Sequence, residues 1–199
     1  FQNMALEDFQ SGVEVHLMGT VNCCKAVWGL MREQGYGRIV CTSSSSGIFG
    51  NFGQSNYGAA KMAMLGLMNV LHLEGAKYDI RVNCLSPTAG TRMTEDIFAS
   101  EVFDLFRPEL VSPAVVFLAG PDAPSRKILA AGAGCFSICK VVAMPAVAIN
   151  PAELSAEAIA AAWSRIDASG DPEEFLDGTT QSRRFASQAA QLQGLELGN

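Results

Sequence analysis

The chain has 199 residues, 49% hydrophobic and 17% charged, which is enough apolar side chain for one domain with a buried core. Its net charge is −6 and it carries no long Lys/Arg block, which argues against a nucleic-acid or anionic-membrane surface. Cys23, Cys24, Cys41, Cys84, Cys135 and Cys139 lie in apolar contexts without a Cys-x-x-Cys pair. A disulfide framework and a metal site are therefore set aside in favour of reduced, buried thiols in an intracellular protein.

Leu6 to Gln34 reads as one long helix. Glu7, Asp8 and Glu14 crowd its start, where the helix dipole favours anions, and Gly35 follows its end. Arg38 to Ser44 predicts a buried strand. Ser45 to Ser55, rich in Gly, Ser and Asn, predicts a loop. Asn56 to Ala76 predicts a second long helix. Its apolar positions, from Met62 and Leu65 to Leu71 and Leu73, cover more than one face, as in a helix buried on several sides or set in an oligomer interface. Ile80 to Ser86 predicts a strand, Glu95 to Phe106 and Pro113 to Leu118 predict helices, and Lys127 to Ala133 predicts a last strand.

The stretch 128–149 is largely apolar, but Gly132, Gly134, Lys140 and Pro145 interrupt it. A strand followed by a loop fits better than a membrane span. No signal peptide is visible at Phe1-Gln2-Asn3-Met4. Composition shifts at Asn150. A helix is expected from Leu154 with Ser155 as its cap, then a linker over Ser169 to Thr180, then a disordered tail of about twenty residues. Residues 1–149 are thus expected to form the main domain, and 150–199 a helical extension with a flexible tail. Strands alternating with helices imply an α/β fold with a parallel sheet.

Tyr57 and Lys61 stand four residues apart in Tyr57-Gly58-Ala59-Ala60-Lys61, and Ser44 lies thirteen residues before Tyr57. Four-residue spacing on a helix puts phenol and ammonium on one face. A neighbouring ammonium favours phenolate over phenol, which suits a tyrosine to acid–base work near neutral pH. Ser44 closes the strand Arg38 to Ser44, where its hydroxyl can bond the oxygen that Tyr57 protonates. Ser43, Ser45 and Ser46 are alternatives. The spacing to Tyr57 favours Ser44, while Ser45 and Ser46 suit local bonds that shape the loop.

These motifs resemble the short-chain dehydrogenase/reductase family. The residues are Gly37-Arg38-Ile39-Val40, Ser43-Ser44-Ser45-Ser46-Gly47, Asn56-Tyr57-Gly58-Ala59-Ala60-Lys61, and Ile80-Arg81-Val82-Asn83-Cys84-Leu85-Ser86-Pro87. A narrower resemblance is to the branch of (3R)-hydroxyacyl-CoA dehydrogenase units found in peroxisomal multifunctional enzymes of type 2 and in single-domain bacterial relatives. It rests on Gly47-Ile48-Phe49-Gly50-Asn51-Phe52-Gly53-Gln54, Ala89-Gly90-Thr91-Arg92-Met93-Thr94 and Gly132-Ala133-Gly134.

The resemblance implies a Rossmann-like doubly wound parallel sheet, NAD or NADP as cofactor, and hydride transfer on a secondary alcohol or ketone, such as a 3-hydroxyacyl-CoA. It implies Tyr57 as general acid/base, Lys61 as its cationic neighbour on the nicotinamide ribose, and Ser44 as alkoxide stabiliser. His16 takes the place of an asparagine that completes the proton relay in many members. The Pro87-Thr88-Ala89 turn would meet the nicotinamide carboxamide, with Thr91 or Thr94 approaching the phosphates. A homodimer or homotetramer is implied, with the long helices at its interface.

A dinucleotide fold usually opens on a strand, a glycine-rich turn and a helix. This sequence shows no such opening, so the sheet is expected to be incomplete and the chain to be the C-terminal part of a longer dehydrogenase. The competing expectation is a catalytically impaired fragment that serves only as a dimerising or interaction module. The expected location is the cytoplasm. A peroxisome is the alternative for a eukaryotic source, although Leu195-Glu196-Leu197-Gly198-Asn199 is not a peroxisomal address.

Overall fold

The structure, a computed structural model, describes residues 1–91, 99–168 and 170–195. It divides into two compact units, Phe1–Cys139 and Lys140–Asn199.

The first helical run is α1 (Leu6–Val13), a π-helical turn (Glu14–Met18) and α2 (Gly19–Gln34), with Gly35 closing α2 at φ 65°. The sequence predicts this run as a single helix. The π-turn is invisible to a period-3.6 pattern because one extra residue leaves the helix continuous. Strand β1 (Gly37–Thr42) follows, then the one-turn helix α3 (Ser45–Ile48) inside the expected loop, then α4 (Ser55–Gly75). Next come β2 (Ile80–Thr88), α5 (Ser100–Phe103), α6 (Ser112–Ala119), β3 (Ile128–Gly132) and β4 (Cys135–Cys139). The start of the helix expected from Glu95 lies outside the described residues.

Among the described residues the sheet has four strands in the order β1-β2-β3-β4. β1, β2 and β3 are parallel, with Ile39 opposite Val82 and Cys84 opposite Ile128. β4 is antiparallel to β3, joined to it through Ala133 (φ 52°) and Gly134 (φ 74°). The sequence places a loop after the strand expected to end at Ala133. The exposed pattern of β4, an edge strand, gives no alternation from which to read a strand.

β2 runs two residues past its expected end, through Pro87. In a parallel sheet, N–H and C=O of one residue face the same neighbour. Cys84 N–H donates to Lys127 and Leu85 C=O accepts from Ser43, so odd-numbered residues of β2 face β1. The last β1 residue in register is Thr42, opposite Leu85, so the proline ring falls where the ladder has already ended.

Both faces of the parallel strands are covered. On one side Cys24, Met64, Leu65 and Met68 pack on Ile39, Cys41, Val82, Cys84 and Ile128. On the other, Val111, Ala114 and Leu118 pack on Leu85 and Ala131. This is the Rossmann-like layering that the alternation of elements predicts. β1 is the outer strand on its side, paired with no other described strand.

At the N-terminal ends of the strands, Arg38 is clamped by the Asp79 carboxylate at 3.1 Å and by the carbonyls of Gly37, Asp79, Gly120 and Pro121. Buried Asn83 ties the entry to β3, donating to Pro124 O and accepting from Lys127 N–H. Cys24, Cys41 and Cys84 are buried thiols as expected. Cys23 and Cys135 are exposed, against the expectation of burial, because each lies on an outward face of its element.

In the second unit, α7 (Ala156–Ala168) is capped by Ser155, whose hydroxyl accepts from Ala158 N–H at 3.1 Å. α8 (Gly178–Gln193) is capped by Asp177, which accepts from Thr180 N–H at 2.8 Å. α8 thus occupies most of the stretch expected to be disordered. The cap explains why, since Asp177 supplies the acceptor that a polar helix start needs. Ala143 and Glu173 bridge their backbones, and Arg184 pairs with the Glu173 carboxylate. Among the described residues, no helix is long and apolar enough to cross a membrane.

Candidate active site

The site lies at the C-terminal end of β1, where open α/β sheets hold ligands. β1 stops at Thr42 and the chain turns sharply. Ser43 N–H still reaches Leu85 O at 2.8 Å, and its hydroxyl turns the other way to donate to Lys61 O at 2.9 Å. Ser43 is therefore a buried structural tie. Ser44 is the N-cap of α3, its Oγ accepting from Ser46 N–H at 3.1 Å. A hydroxyl used as an acceptor keeps its own proton to give.

α4 carries Tyr57 and Lys61 on one face, as the spacing predicts. Two glycines let α3 press against that face. A Cβ on Gly47 would stand 2.8 Å from Met62 N and 2.9 Å from Lys61 C, and one on Gly58 would stand 3.0 Å from Ser46 O. These close approaches couple the Ser44 turn to the Tyr57–Lys61 turn. Motif matching finds both glycines but gives no sign of this packing role.

Lys61 is buried, and its Nζ donates to Thr42 O at 2.9 Å. The same Nζ lies 5.5 Å from the centre of the Tyr57 ring. Burial lowers the pKa of this ammonium from its ordinary value. From the π-turn, His16 meets Tyr57 edge-on, with ring centres 5.0 Å apart and planes at 85°. Burial, and then the charge of Lys61, hold the His16 pKa below 6.5. The imidazole is therefore neutral at neutral pH and free to accept a proton. The Thr20 hydroxyl donates to His16 O at 3.1 Å, which steadies the π-turn.

The structure thus brings His16, Tyr57 and Lys61 together, with the Ser44 turn packed against the same helix. Pro87 and Thr88 end β2, opposite Ala131 and Gly132 of β3. Ala89 is half-buried against the α6 side of the sheet. Gly90 N–H is held by Phe106 O at 2.6 Å, and Thr91 is exposed. Thr94 lies outside the described residues. Asn56 and Gly12 also belong to this region. Sequence reasoning assigns them no part, because their contact joins two helices far apart in the chain.

The fold and the sequence around this cluster define the class to which the chain belongs. The sequence matches the short chain dehydrogenase family over residues 1–102, and the chain belongs to that family.

A short-chain type dehydrogenase/reductase of Mycobacterium tuberculosis is 47% identical over 135 residues, covering 67% of this chain and 47% of that protein. The peroxisomal multifunctional enzyme type 2 of Mus musculus is 46% identical over 118 residues, covering 59% of this chain and 16% of that enzyme. Among solved structures, the full-length peroxisomal multifunctional enzyme type 2 of Drosophila melanogaster superposes with a TM-score of 0.87 at 28% identity, covering 96% of this chain and 36% of that one. The chain therefore spans less than half the length of each of these relatives.

Proposed function

We propose that the chain carries the catalytic half of an NAD- or NADP-linked oxidoreductase that interconverts a secondary alcohol and a ketone. The substrate class is a (3R)-3-hydroxyacyl thioester such as an acyl-CoA. The observation that carries this reading is the His16–Tyr57–Lys61 cluster beside the Ser44 turn. The substrate class rests on the likeness of Gly47–Gln54 and Ala89–Thr94 to the hydroxyacyl-CoA branch of the family.

The residues present fit the nicotinamide end of such a cofactor. Buried Lys61 is a cationic donor for ribose hydroxyls, and Tyr57 stands beside it. Pro87, Thr88 and Ala89 present backbone at a strand's C-terminal end for a carboxamide, with Thr91, and in sequence Thr94, following. When bound, a nicotinamide supplies or takes the hydride.

The chain's own residues do the rest. The Tyr57 phenol bonds the substrate oxygen and gives up or takes its proton. Lys61 supplies positive charge beside that phenol. The Ser44 hydroxyl, whose own proton is not used in its N-cap bond, donates to the same oxygen and stabilises negative charge as it develops. Neutral His16 relays the proton between Tyr57 and solvent. Exposed Met62, Val70 and Leu73 on α4, with Val27 and Leu30 on α2, support a homodimer or homotetramer as the working assembly.

One observation favours a second reading, an interaction module without turnover: the outer edge of β1, paired with no other described strand, is a template for another strand. Titration of the full chain with NADH and NADPH, followed by fluorescence, separates the two. Saturable binding is expected, together with reduction of NAD+ or NADP+ by a 3-hydroxyacyl-CoA, which becomes the 3-ketoacyl-CoA, in a parallel assay. A folded chain that binds neither nucleotide would leave only the module.

A further inference from the structure

We propose that Asn56, seated against Gly12, is a positioning residue that fixes the ring of His16 against the ring of Tyr57. This inference rests on the oxidoreductase reading and adds to it the part that sets the relay geometry.

The N-terminal turn of a helix leaves its amides without intrahelical partners. In α4 the N-cap residue Gln54 makes no side-chain cap bond. The gap is filled from inside the helix, where the Asn56 Oδ1 accepts from Tyr57 N–H at 2.7 Å. The other end of the same amide reaches out of the helix, Nδ2 donating to Asp8 O on α1 at 3.1 Å. One side chain thus joins the backbone of the catalytic tyrosine to the helix that leads into His16.

The seat for this amide is Gly12. A Cβ there would stand 3.1 Å from Asn56 Nδ2, 3.2 Å from its Cβ and 3.3 Å from its Cγ. An alanine there would require the amide to give by a few tenths of an ångström, a shift at both of its hydrogen bonds. Asp8, Gly12 and His16 are spaced by four. In an α-helix each four-residue step drifts by about 40° around the axis. The wider π-turn that begins at Glu14 opposes this drift and keeps His16 in line with the stripe that Asn56 grips. Asn56 therefore anchors the stripe at Asp8 and Gly12, and the π-turn delivers its next member onto Tyr57.

The test uses the full-length chain without cofactor. The ring resonances of His16 and His72 are followed by NMR through a pH titration in wild type, Gly12→Ala, Asn56→Ala and Asn56→Asp. His72, at the other end of α4, is the internal reference. In all three variants His16 is expected to lose the shift that the Tyr57 ring imposes and to titrate closer to 6.5, while His72 stays where it was. If Asn56→Ala does not fold, Gly12→Ala and Asn56→Asp decide. His16 resonances unchanged in folded variants would overturn the proposal, as would equal movement of both histidines, which marks general loosening.

Turnover of the wild-type chain tests the oxidoreductase reading separately. If the wild type turns over, the variants are expected to lose kcat with KM little changed, and Asn56→Asp is expected to fare no better than Asn56→Ala because it lacks the donor to Asp8 O. A wild type without turnover, alongside a His16 shift in the variants, would overturn the oxidoreductase reading and leave the positioning contact standing.

Discussion

Gly47 rests on the backbone of Lys61. The 2.8 and 2.9 Å approaches that a Cβ would make there are to main-chain atoms, which have no rotamer by which to yield. Gly47→Ala should therefore part α3 from α4 and destabilise the fold by ~1–3 kcal/mol, the range for overpacking. Urea denaturation measures this. An unchanged midpoint would mean that α3 drifts freely and the Ser44 turn is not held by this contact.

Ser44 and Ser43 should separate cleanly. Ser44→Ala removes an N-cap, costing about 1 kcal/mol, and removes the hydroxyl proposed to bond the substrate oxygen, costing roughly 10²–10³ in turnover. Ser43→Ala removes a buried bond to Lys61 O and should cost about 1 kcal/mol with a smaller loss of rate. The reverse pattern in kinetics would transfer the catalytic role to Ser43.

The stability of the chain should fall in mild acid through His72. Ser125 Oγ accepts from Val82 N–H at 3.1 Å and lies 2.8 Å from His72 Nδ1, which holds the imidazole against the sheet. Burial, then Arg126 and Lys127, hold the His72 pKa below 6.5. The unfolded chain therefore binds the proton more readily. Stability is complete above 6.5 and is lost as pH falls through the lower folded-state value. Urea midpoints measured across this window should slope less in His72→Gln, which keeps an acceptor for Ser125 but does not titrate. An identical slope in the variant would place the proton uptake elsewhere, with His16 the next candidate because burial also lowers its pKa.

Thiol reactivity should divide the six cysteines by position. The Cys24 hydrogen bond pulls the Cys41 thiol down, but its bond with Cys84 and its burial outweigh this, and it is pushed up to about 12. Cys24 is also raised, by its bond with Cys41 and by burial. A thiol reagent should label exposed Cys23 and Cys135 in the native chain and reach Cys24, Cys41 and Cys84 only on unfolding. Mass spectrometry of the labelled peptides reads this directly, and rapid labelling of Cys41 would show that the α2–β1 seam opens.

The parts legible in the sequence are those written in short spacings. Tyr57 and Lys61 share a face because four residues close a helical turn, and the apolar runs around Ile39 and Val82 are long enough to mark buried parallel strands. What escaped depends on distant contacts or local irregularity. The π-turn under His16 adds one residue to an otherwise regular helix. β4 is an exposed edge strand without alternation. α8 has little apolar face and is declared by a single Asp177 cap. Gly12 and Asn56 lie 44 positions apart, and nothing local to either hints that one is the seat of the other.

A π-turn is, in effect, a one-residue insertion that a helix has absorbed without breaking. The Glu14–Met18 turn divides the first helical run into two parts set independently: α2 packs on the sheet through Cys24, while α1 follows α4. Excising one residue from that turn would restore a regular α-helix, and because a π-turn takes up its extra residue by turning less per residue, α1 and α2 would keep nearly the same phase. A deletion at Glu14 or Val15 would leave Asp8 and Gly12 under Asn56 but shorten the step from Gly12 to His16 to three residues, which moves the imidazole off their stripe. The placement of His16 is thus held by chain length at one point, and a single-codon deletion there should move that ring while the packing on either side stands.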